Sequence, residues 1–432
     1  MSFTLGIRRE DKNIWERRVP IIPNHVKELK EKYDISTIIQ PSKIRIFSDE
    51  EYRNIKVKVD ENLRDANVIF AVKEIPIDLF EKNKTYVFFA HITKGQKYNM
   101  PMLKRMIDLR CNLIDYERIT DEKNRRLVFF GRYAGFAGMV DTLWALGQRL
   151  KYKKIKSPID EIKQSIYYDD IDKIKNHFRK IGKRIQMQGF PDNISPIVVG
   201  LAGYGNVSNG AQEILDVLPI KEINPNELET LNTNYSNKVI YKVVFREEDI
   251  VVPVFSNKKF NLQEYYSNPE FYQSVFYRYL PYMTILMNCI YWEERYPRLI
   301  TKKFIKECYS KNIKLQIIGD ISVDINGAIE ITSKTTTPSN PVFVYNPLTD
   351  NISDNYRDDG IVIMAVDNLP CELPKESSIE FSNALFSFIP HIVKADYSTD
   401  FDSLDLPPEI KRAVILHHGT LTPNFSYISK FL

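Results

Sequence analysis

The sequence predicts an α/β protein of two doubly wound domains with a cleft between them, its C-terminal helices returning to the first domain. Three observations lead there. At 432 residues the chain is too long for a single compact core. Short apolar runs alternate with helix-spaced segments along both halves, the pattern of a mainly parallel sheet. Near the middle, a glycine-rich turn stands between an apolar run and a helical segment.

Taken in order, apolar runs at 5–7, 35–39, 68–72, 86–90 and 113–116 predict strands, and 25–33, 61–66 and 102–109 have helical spacing. Gly135 and Gly138 open an apolar stretch through Trp144 and Leu146, expected as a connecting helix whose small residues permit close packing. Residues 151–190 are Lys-rich, and 170–185 should form a surface helix with Ile171, Ile174 and Phe178 inward and a solvated charged face outward. Further strands are expected at 239–245, 283–291, 315–321, 341–345 and 361–366, with helices at 268–279 and 301–309. Past Pro370, 377–388 reads as a long helix and 408–416 and 426–432 as shorter ones. That tail is too small for a third domain. The expected division is 1–137 plus 371–432 as a substrate and catalytic domain, and 138–370 as a dinucleotide-binding domain.

Composition narrows the function. A net charge of +4 with basic and acidic residues interspersed marks neither a nucleic-acid nor a membrane surface. Cys111, Cys289, Cys308 and Cys371 are too scattered for a disulfide framework or a metal spacing and suggest a reducing compartment. No apolar run approaches the ~18 residues of a membrane span. The N-terminus enters a strand-like run at Phe3 and carries Arg8, Arg9 and Glu10, so neither a signal nor a transit peptide is expected, and the cytoplasm is the expected location. The six histidines show no metal-ligand spacing, and no metal is expected.

Residues 196–218 read P-I-V-V-G-L-A-G-Y-G-N-V-S-N-G-A-Q-E-I-L-D-V-L. Gly203 lets the chain turn sharply and Gly205 lets backbone approach a pyrophosphate. The helix expected from about Ser208, a residue suited to the N-cap, aims free N–H groups at it. Asn206 and Val207 lie on the same turn. The last glycine of G-x-G-x-x-G is replaced by Ser208, with Gly210 and Ala211 displaced further on.

Two strands end in titratable groups. Ala71-Val-Lys-Glu-Ile75 puts Lys73 and Glu74 at a strand's carboxyl end, and Val87-Phe-Phe-Ala90 delivers His91 at the same edge, where open α/β sheets place their ligands. A lysine near other cations loses pKa and works as a base, and His exchanges protons near neutral pH. A solvated strand-end lysine is the plain alternative. Arg18 offers a planar fork for a carboxylate, or is one surface arginine among many. Loops 335–338 and 366–370 are cofactor walls or ordinary turns.

The N-terminal L-G-I-R-R-E-D-K-N-I-W-E-R-R-V-P-I-I-P, with E-x-R-V-x-x-x-P after a strand, resembles the entry of the alanine dehydrogenase and saccharopine dehydrogenase superfamily. W-E-R-R-V-P, V-K-E, F-A-H and G-N-V-S-N-G-A-Q-E-I, in that order, resemble one branch closely, the lysine–ketoglutarate reductase module that forms saccharopine. The resemblance runs from Leu5 to about Phe431 and implies Rossmann-like domains. It also implies roles: Lys73 and His91 as the acid/base pair; Arg18, Gln96, Arg126, Phe130 and Tyr291 as substrate contacts; Arg125, Ile290, Asp320, Ile321 and Ser322 beside the cofactor. Glu74 and Glu117 would hold down the site's charge, or serve as salt-bridge partners.

The implied reaction joins L-lysine and 2-oxoglutarate and reduces the imine with NAD(P)H to saccharopine. The several carboxylates of these substrates give Arg18 and Arg126 together a purpose. An alanine-dehydrogenase-like enzyme and a non-catalytic nucleotide-binding regulator remain as alternatives. The second strand past the glycines, 220–223, ends in Asn224-Pro225 without the carboxylate that binds ribose hydroxyls in NAD enzymes, and plant and animal reductases of this type use NADPH. NADP(H) is therefore favoured, NAD(H) being allowed should Glu222 reach the ribose. Because the resemblance stops at the reductase module, cleavage of saccharopine is expected from a separate glutamate-forming saccharopine dehydrogenase, unless the chain runs in the lysine-forming direction.

Overall fold

A computed structural model describes residues 3–255, 257–311 and 313–432, apart from the side chain of Asn232. It divides into two compact units, Met1–Phe130 with Pro374–Leu432, and Gly131–Leu373.

The first unit carries a sheet of eight strands among the described residues, in the order Thr420–Leu421, Val414–His417, Asn112–Asp115, Thr85–Phe88, Val68–Phe70, Phe3–Ile7, Ile35–Ile39, Lys58–Val59. All pairs are parallel except those made by the two C-terminal strands. Leu5, Ile7, Val68, Phe70, Val87 and Phe88 are fully buried in its core, as near-continuous apolar strands covered on both faces must be. The helix Pro23–Tyr33 starts on a proline, whose fixed φ suits a first turn, and ends at Asp34 in the left-handed conformation.

The second unit carries another eight strands among the described residues: Asn351–Ser353, Val342–Asn346, Ile361–Met364, Ile317–Asp320, Ile285–Asn288, Ile197–Ala202, Ile240–Phe245, Ile220–Glu222. Among the described residues only the Val342–Asn346 strand is reversed, pairing antiparallel with both Ile361–Met364 and Asn351–Ser353. The helix Gly131–Tyr152 lies against the helix Asn206–Leu215, where glycines set the spacing. A Cβ on Gly135 would stand 1.8 Å from the Val207 carbonyl oxygen, and one on Gly210 1.9 Å from that of Arg132. Gly210, the glycine displaced from the loop motif, thus serves helix–helix contact. The expected surface helix is Ile171–Gln188, with Ile174 and Phe178 fully buried, Ile171 partly so, and Asp170 capping it through the Lys173 N–H.

Several expectations are corrected. Residues 61–66 form no helix, because the Asp60 and Asn62 side chains accept the N–H groups of Asn62 and Arg64 and hold a turn instead. Within 268–279, Tyr272–Ser274 pairs antiparallel with Val251–Pro253 between two 3₁₀ turns, since Pro269 and a run of aromatic residues favour extended chain. The helix expected over 408–416 stops at Lys411, and Val414–His417 joins the first sheet beside Asn112–Asp115. The tail so returns with strands as well as helices, and its last stretch, Pro423–Phe431, is 3₁₀. The two compact units meet in sequence at Phe130/Gly131 and Leu373/Pro374, where the helix Gly131–Tyr152 and the helix Pro374–Phe386 begin.

Strand order brings one further correction. Ile240–Phe245, third in sequence, lies directly beside the glycine-turn strand Ile197–Ala202, and Ile220–Glu222 is pushed to the sheet edge. The strand whose end lacks a carboxylate, Ile220–Glu222, is therefore the outer one and does not touch the glycine-turn strand.

Candidate functional site

Parallel register aligns the strand ends of the first unit. Ile7 pairs with Phe70, Phe70 with Val87 and Phe88 with Asp115, so Arg8 to Glu10, Ala71 to Glu74, Phe89 to His91 and Tyr116-Glu117 all leave at one edge. Glu10, buried there, accepts the N–H groups of Val72 at 2.6 Å and Lys73 at 2.9 Å and fixes the backbone under the lysine. Burial first, then the Arg18 guanidinium, pushes the Lys73 ammonium below the usual lysine value. Burial and the neighbouring Glu16 charge push Glu10 up to about 7. Asp115, fully buried at the end of its strand, rises to about 7 through burial and the Glu117 charge.

His91 sits at φ 48° and meets Glu74 Oε1 through Nδ1 at 2.7 Å. Glu74 Oε2 accepts from Lys12 Nζ at 2.8 Å. Burial works to raise the Glu74 carboxyl, but the His91 and Lys12 hydrogen bonds and charges outweigh it and hold the group well below the carboxylate range. The His91 ring lies nearly parallel to Phe89, centroids 6.1 Å apart. Asn99 Nδ2 donates to the Ala90 and His91 carbonyls at 2.9 and 3.2 Å, holding the turn that presents the imidazole.

Arg18 is buried, and its fork is committed to Glu16: Nε to Oε1 at 2.7 Å and Nη2 to Oε2 at 2.6 Å. Its guanidinium lies 4.2 Å from the Phe130 ring centroid, and Phe130 stacks on Phe381 at 4.5 Å. The fork expected to meet a substrate carboxylate is engaged by Glu16 in this structure. Arg126 is half exposed and donates to Glu117 Oε1 at 3.1 Å. Gln96 accepts the Lys94 N–H through Oε1 at 3.0 Å, on the loop after His91. Arg125 is exposed and paired with Asp121 at 2.6 Å, an ordinary surface pair.

In the second unit Ala202 pairs with both Phe245 and Asn288, and Asn288 with Asp320, so the chain following each strand again leaves at one edge. Gly203 has φ 97°, a conformation that disfavours side chains, and a Cβ on it would stand 3.0 Å from Ile290 Cγ2. Around a Cβ on Gly205 nothing lies within 4 Å, which leaves the room a pyrophosphate needs. The helix begins at Asn206 with Gly205 as N-cap, two residues before the expected start. Ser208 is buried in its first turn and accepts from Gln212 Nε2 at 3.1 Å, so it is not the cap. No side chain caps this end, and Asn206 and Val207 carry first-turn N–H groups suited to an anion.

Asp320 is buried with both oxygens engaged, by Asn288 Nδ2 at 2.7 Å and Thr332 Oγ1 at 2.6 Å, and burial raises it to about 6. This internal bracket stands where a cofactor contact was expected. Ile321 is buried beside it, a Cβ on Gly138 lying 2.7 Å from its Cγ1, and Ser322 follows half-buried. Tyr291 is exposed, its hydroxyl donating to Glu293. Glu10 and Glu16 escaped the sequence reading, although both stand in the same R-R-E-D-K-N-I-W-E-R-R run as Arg18; their contacts are with residues that the run does not contain or with its own turn. Among the described residues no cluster of His, Cys, Asp and Glu could hold a metal ion, and no helix is long and apolar enough to cross a membrane.

Residues 6–137 match the family model "Alanine dehydrogenase/PNT, N-terminal domain", and residues 200–424 match "Alanine dehydrogenase/PNT, C-terminal domain". The chain belongs to the alanine dehydrogenase/PNT family. Within this family it is similar to the alpha-aminoadipic semialdehyde synthase of Arabidopsis thaliana, 35% identical over 443 residues, covering 99% of this chain and 41% of the plant protein. The mitochondrial mouse protein of that name is 33% identical, with 99% and 47% covered. The chain thus spans less than half the length of these two relatives. A saccharopine dehydrogenase [NAD(+), L-lysine-forming] of Candida glabrata is 27% identical, with 89% of this chain and 90% of the yeast protein covered. Among solved structures, an L-alanine dehydrogenase superposes with TM-score 0.61 at 15% identity, covering 99% and 100% of the two chains. A transhydrogenase from Sinorhizobium meliloti gives 0.54 at 12%, covering 97% and 100%. The fold shared with these structures is the expected α/β class of two parallel-dominated, Rossmann-like sheets.

Proposed function

We propose that this family member condenses L-lysine with 2-oxoglutarate and reduces the imine to saccharopine, reversibly, in lysine metabolism. The observation that carries the reading is the Lys73-Glu74-His91 arrangement: a half-buried amine at the strand exit, its pKa lowered by desolvation and the Arg18 charge, next in sequence to the carboxylate that holds the imidazole at 2.7 Å. The similarity to alpha-aminoadipic semialdehyde synthases and to a lysine-forming saccharopine dehydrogenase supports the choice of substrates.

Lys73, which burial and Arg18 make easier to deprotonate, takes the proton that the substrate ε-ammonium must lose before its nitrogen can attack the ketone. His91, with Nδ1 given to Glu74, exchanges the carbinolamine hydroxyl proton through Nε2, so that water leaves. Arg126 and Gln96 orient carboxylates, with Phe130 beside the substrate, and Tyr291 is kept as a substrate contact offered by the second unit. Arg18, committed to Glu16, acts by holding down the Lys73 proton affinity. Glu117 and Glu74 balance the positive charge. Gly203, Gly205, Asn206, Val207 and the Ser208 N–H would hold the dinucleotide pyrophosphate, and Ile290, Ile321 and Ser322 would serve as further cofactor contacts. NADPH, favoured over NADH, supplies the hydride when bound there. Asp320 and Arg125 keep smaller parts in this reading, the first as a bracket under Ile321, the second as a rim charge.

The reading keeps the cytoplasm as the location, on the scattered cysteines that suggest a reducing compartment, and takes as pathway partner an enzyme that cleaves saccharopine to glutamate and an aldehyde. The test adds L-lysine and 2-oxoglutarate to the purified chain with NADPH or NADH and follows reduced-nicotinamide absorbance. Consumption that requires both substrates, with saccharopine as product, is expected. Folded protein that oxidises neither cofactor would overturn the proposal.

A further inference from the structure

The strand beside the glycine turn does not end in a carboxylate. Ile240–Phe245 pairs with Ile197–Ala202 along its whole length, Phe245 opposite Ala202, so Arg246 emerges next to Gly203-Tyr204-Gly205. In doubly wound sheets the residue at this exit faces the adenosine ribose of a bound dinucleotide: an acidic side chain there takes the 2′-hydroxyl, and an arginine accommodates a 2′-phosphate.

The surroundings of Arg246 suit the second case. Its guanidinium lies 4.7 Å from the ring centroid of Tyr204, a flat exposed surface contributed by the glycine turn itself. Its backbone N–H donates to Asp249 Oδ2 at 2.9 Å, which fixes the strand exit. The nearby carboxylates are engaged elsewhere. Glu247 takes the Tyr266 hydroxyl at 2.6 Å and also hydrogen-bonds Tyr204, so it orders the tyrosine platform. Glu222, on the outer strand, pairs with Lys242 at 3.0 Å, and Lys242 also holds Asp216 at 2.9 Å.

We propose that Arg246, laid over Tyr204, is the residue that selects a 2′-phosphorylated adenosine ribose at the glycine-turn site. The assignment deepens the cofactor part of the function above and rests on that reading of the glycine turn. It replaces the missing carboxylate after Glu222 as the ground for NADP(H), because that strand is not the neighbour of the glycine strand. The planar guanidinium is held open by the ring and can give two parallel N–H groups to phosphate oxygens.

The test is calorimetric titration of the full chain with 2′,5′-ADP and with 5′-AMP, which differ by the 2′-phosphate and require neither lysine nor 2-oxoglutarate. The unsubstituted chain should prefer 2′,5′-ADP by about tenfold or more, and Arg246→Gln should collapse that ratio to within about twofold by weakening 2′,5′-ADP selectively. A wild-type chain without the preference, or an Arg246→Gln ratio equal to wild type, overturns the assignment. If Arg246→Gln does not fold, Arg246→Lys is read the same way: a reduced ratio supports the fork, an unchanged one overturns it. A failed saccharopine assay alongside an Arg246-dependent preference defeats the reaction alone, and saccharopine formation without the preference defeats this assignment alone.

Discussion

His91 Nδ1 lies 2.7 Å from Glu74 Oε1, and the same carboxylate reaches Lys12 through its other oxygen at 2.8 Å. The ring is therefore fixed in orientation with Nε2 as its remaining nitrogen. Glu74→Gln keeps the shape but removes the charged acceptor. It should lower kcat by about 10- to 100-fold while leaving nucleotide affinity near wild type. Steady-state kinetics with a parallel nucleotide titration checks this, and an unchanged kcat would remove Glu74 from the proton path.

Lys73→Met deletes the amine while preserving most of the side chain's apolar length. A loss of about 10²- to 10⁴-fold in kcat is expected, with cofactor affinity retained and the melting temperature at or above wild type, since burying the ammonium is itself costly. Activity within a few-fold of wild type would show that the proton leaves by another route.

The glycines Gly205 and Gly210 should separate binding from folding. Gly205→Ala meets open space, so thermal stability should hardly change while NADPH affinity falls by about tenfold or more, the added methyl occupying the pyrophosphate approach. Gly210→Ala drives a methyl into the Arg132 carbonyl at 1.9 Å, and overpacking of backbone on backbone should cost about 1–3 kcal/mol or more. Calorimetric melts and nucleotide titrations on the two variants should give opposite patterns.

Glu10 gives a pH signature. Its folded pKa of about 7 stands above the ordinary 4.5, so between those values the folded chain binds more protons than the unfolded one. Stability is fully present below the unfolded value and declines as pH rises to about 7; a shift of that size corresponds to ~3 kcal/mol. Urea melts from pH 4.5 to 7.5 should show the decline, and Glu10→Gln should flatten it. Asp115, raised by burial in the same direction, leaves a residual slope in that variant. A slope untouched by Glu10→Gln would mean that Glu10 titrates alike in both states.

The parts of this molecule that the sequence discloses are those with local signals. Apolar runs ending in Lys73 and His91, the glycine turn and the small-residue helix at Gly135 are each spelled out within a few residues. What stays hidden depends on distant partners. Nothing near Ile240 says that it will sit between the glycine strand and Ile220, so the order of these three strands is not legible locally. Val414–His417 has too few residues to distinguish a strand from a continuing helix until Asn112–Asp115 is there to pair with it. Glu10 and Glu16 look like solvent-facing charges in a basic run, and become a buried pair only when Val72 and Arg18 close on them.

The strand Val414–His417 is made after the whole of the second unit, yet it caps the sheet begun at Phe3. During synthesis, the margin at Asn112–Asp115 must wait with unpaired N–H and C=O groups for some three hundred residues of translation. The order of ribosomal emergence therefore completes the first unit's sheet only after the second unit has been made.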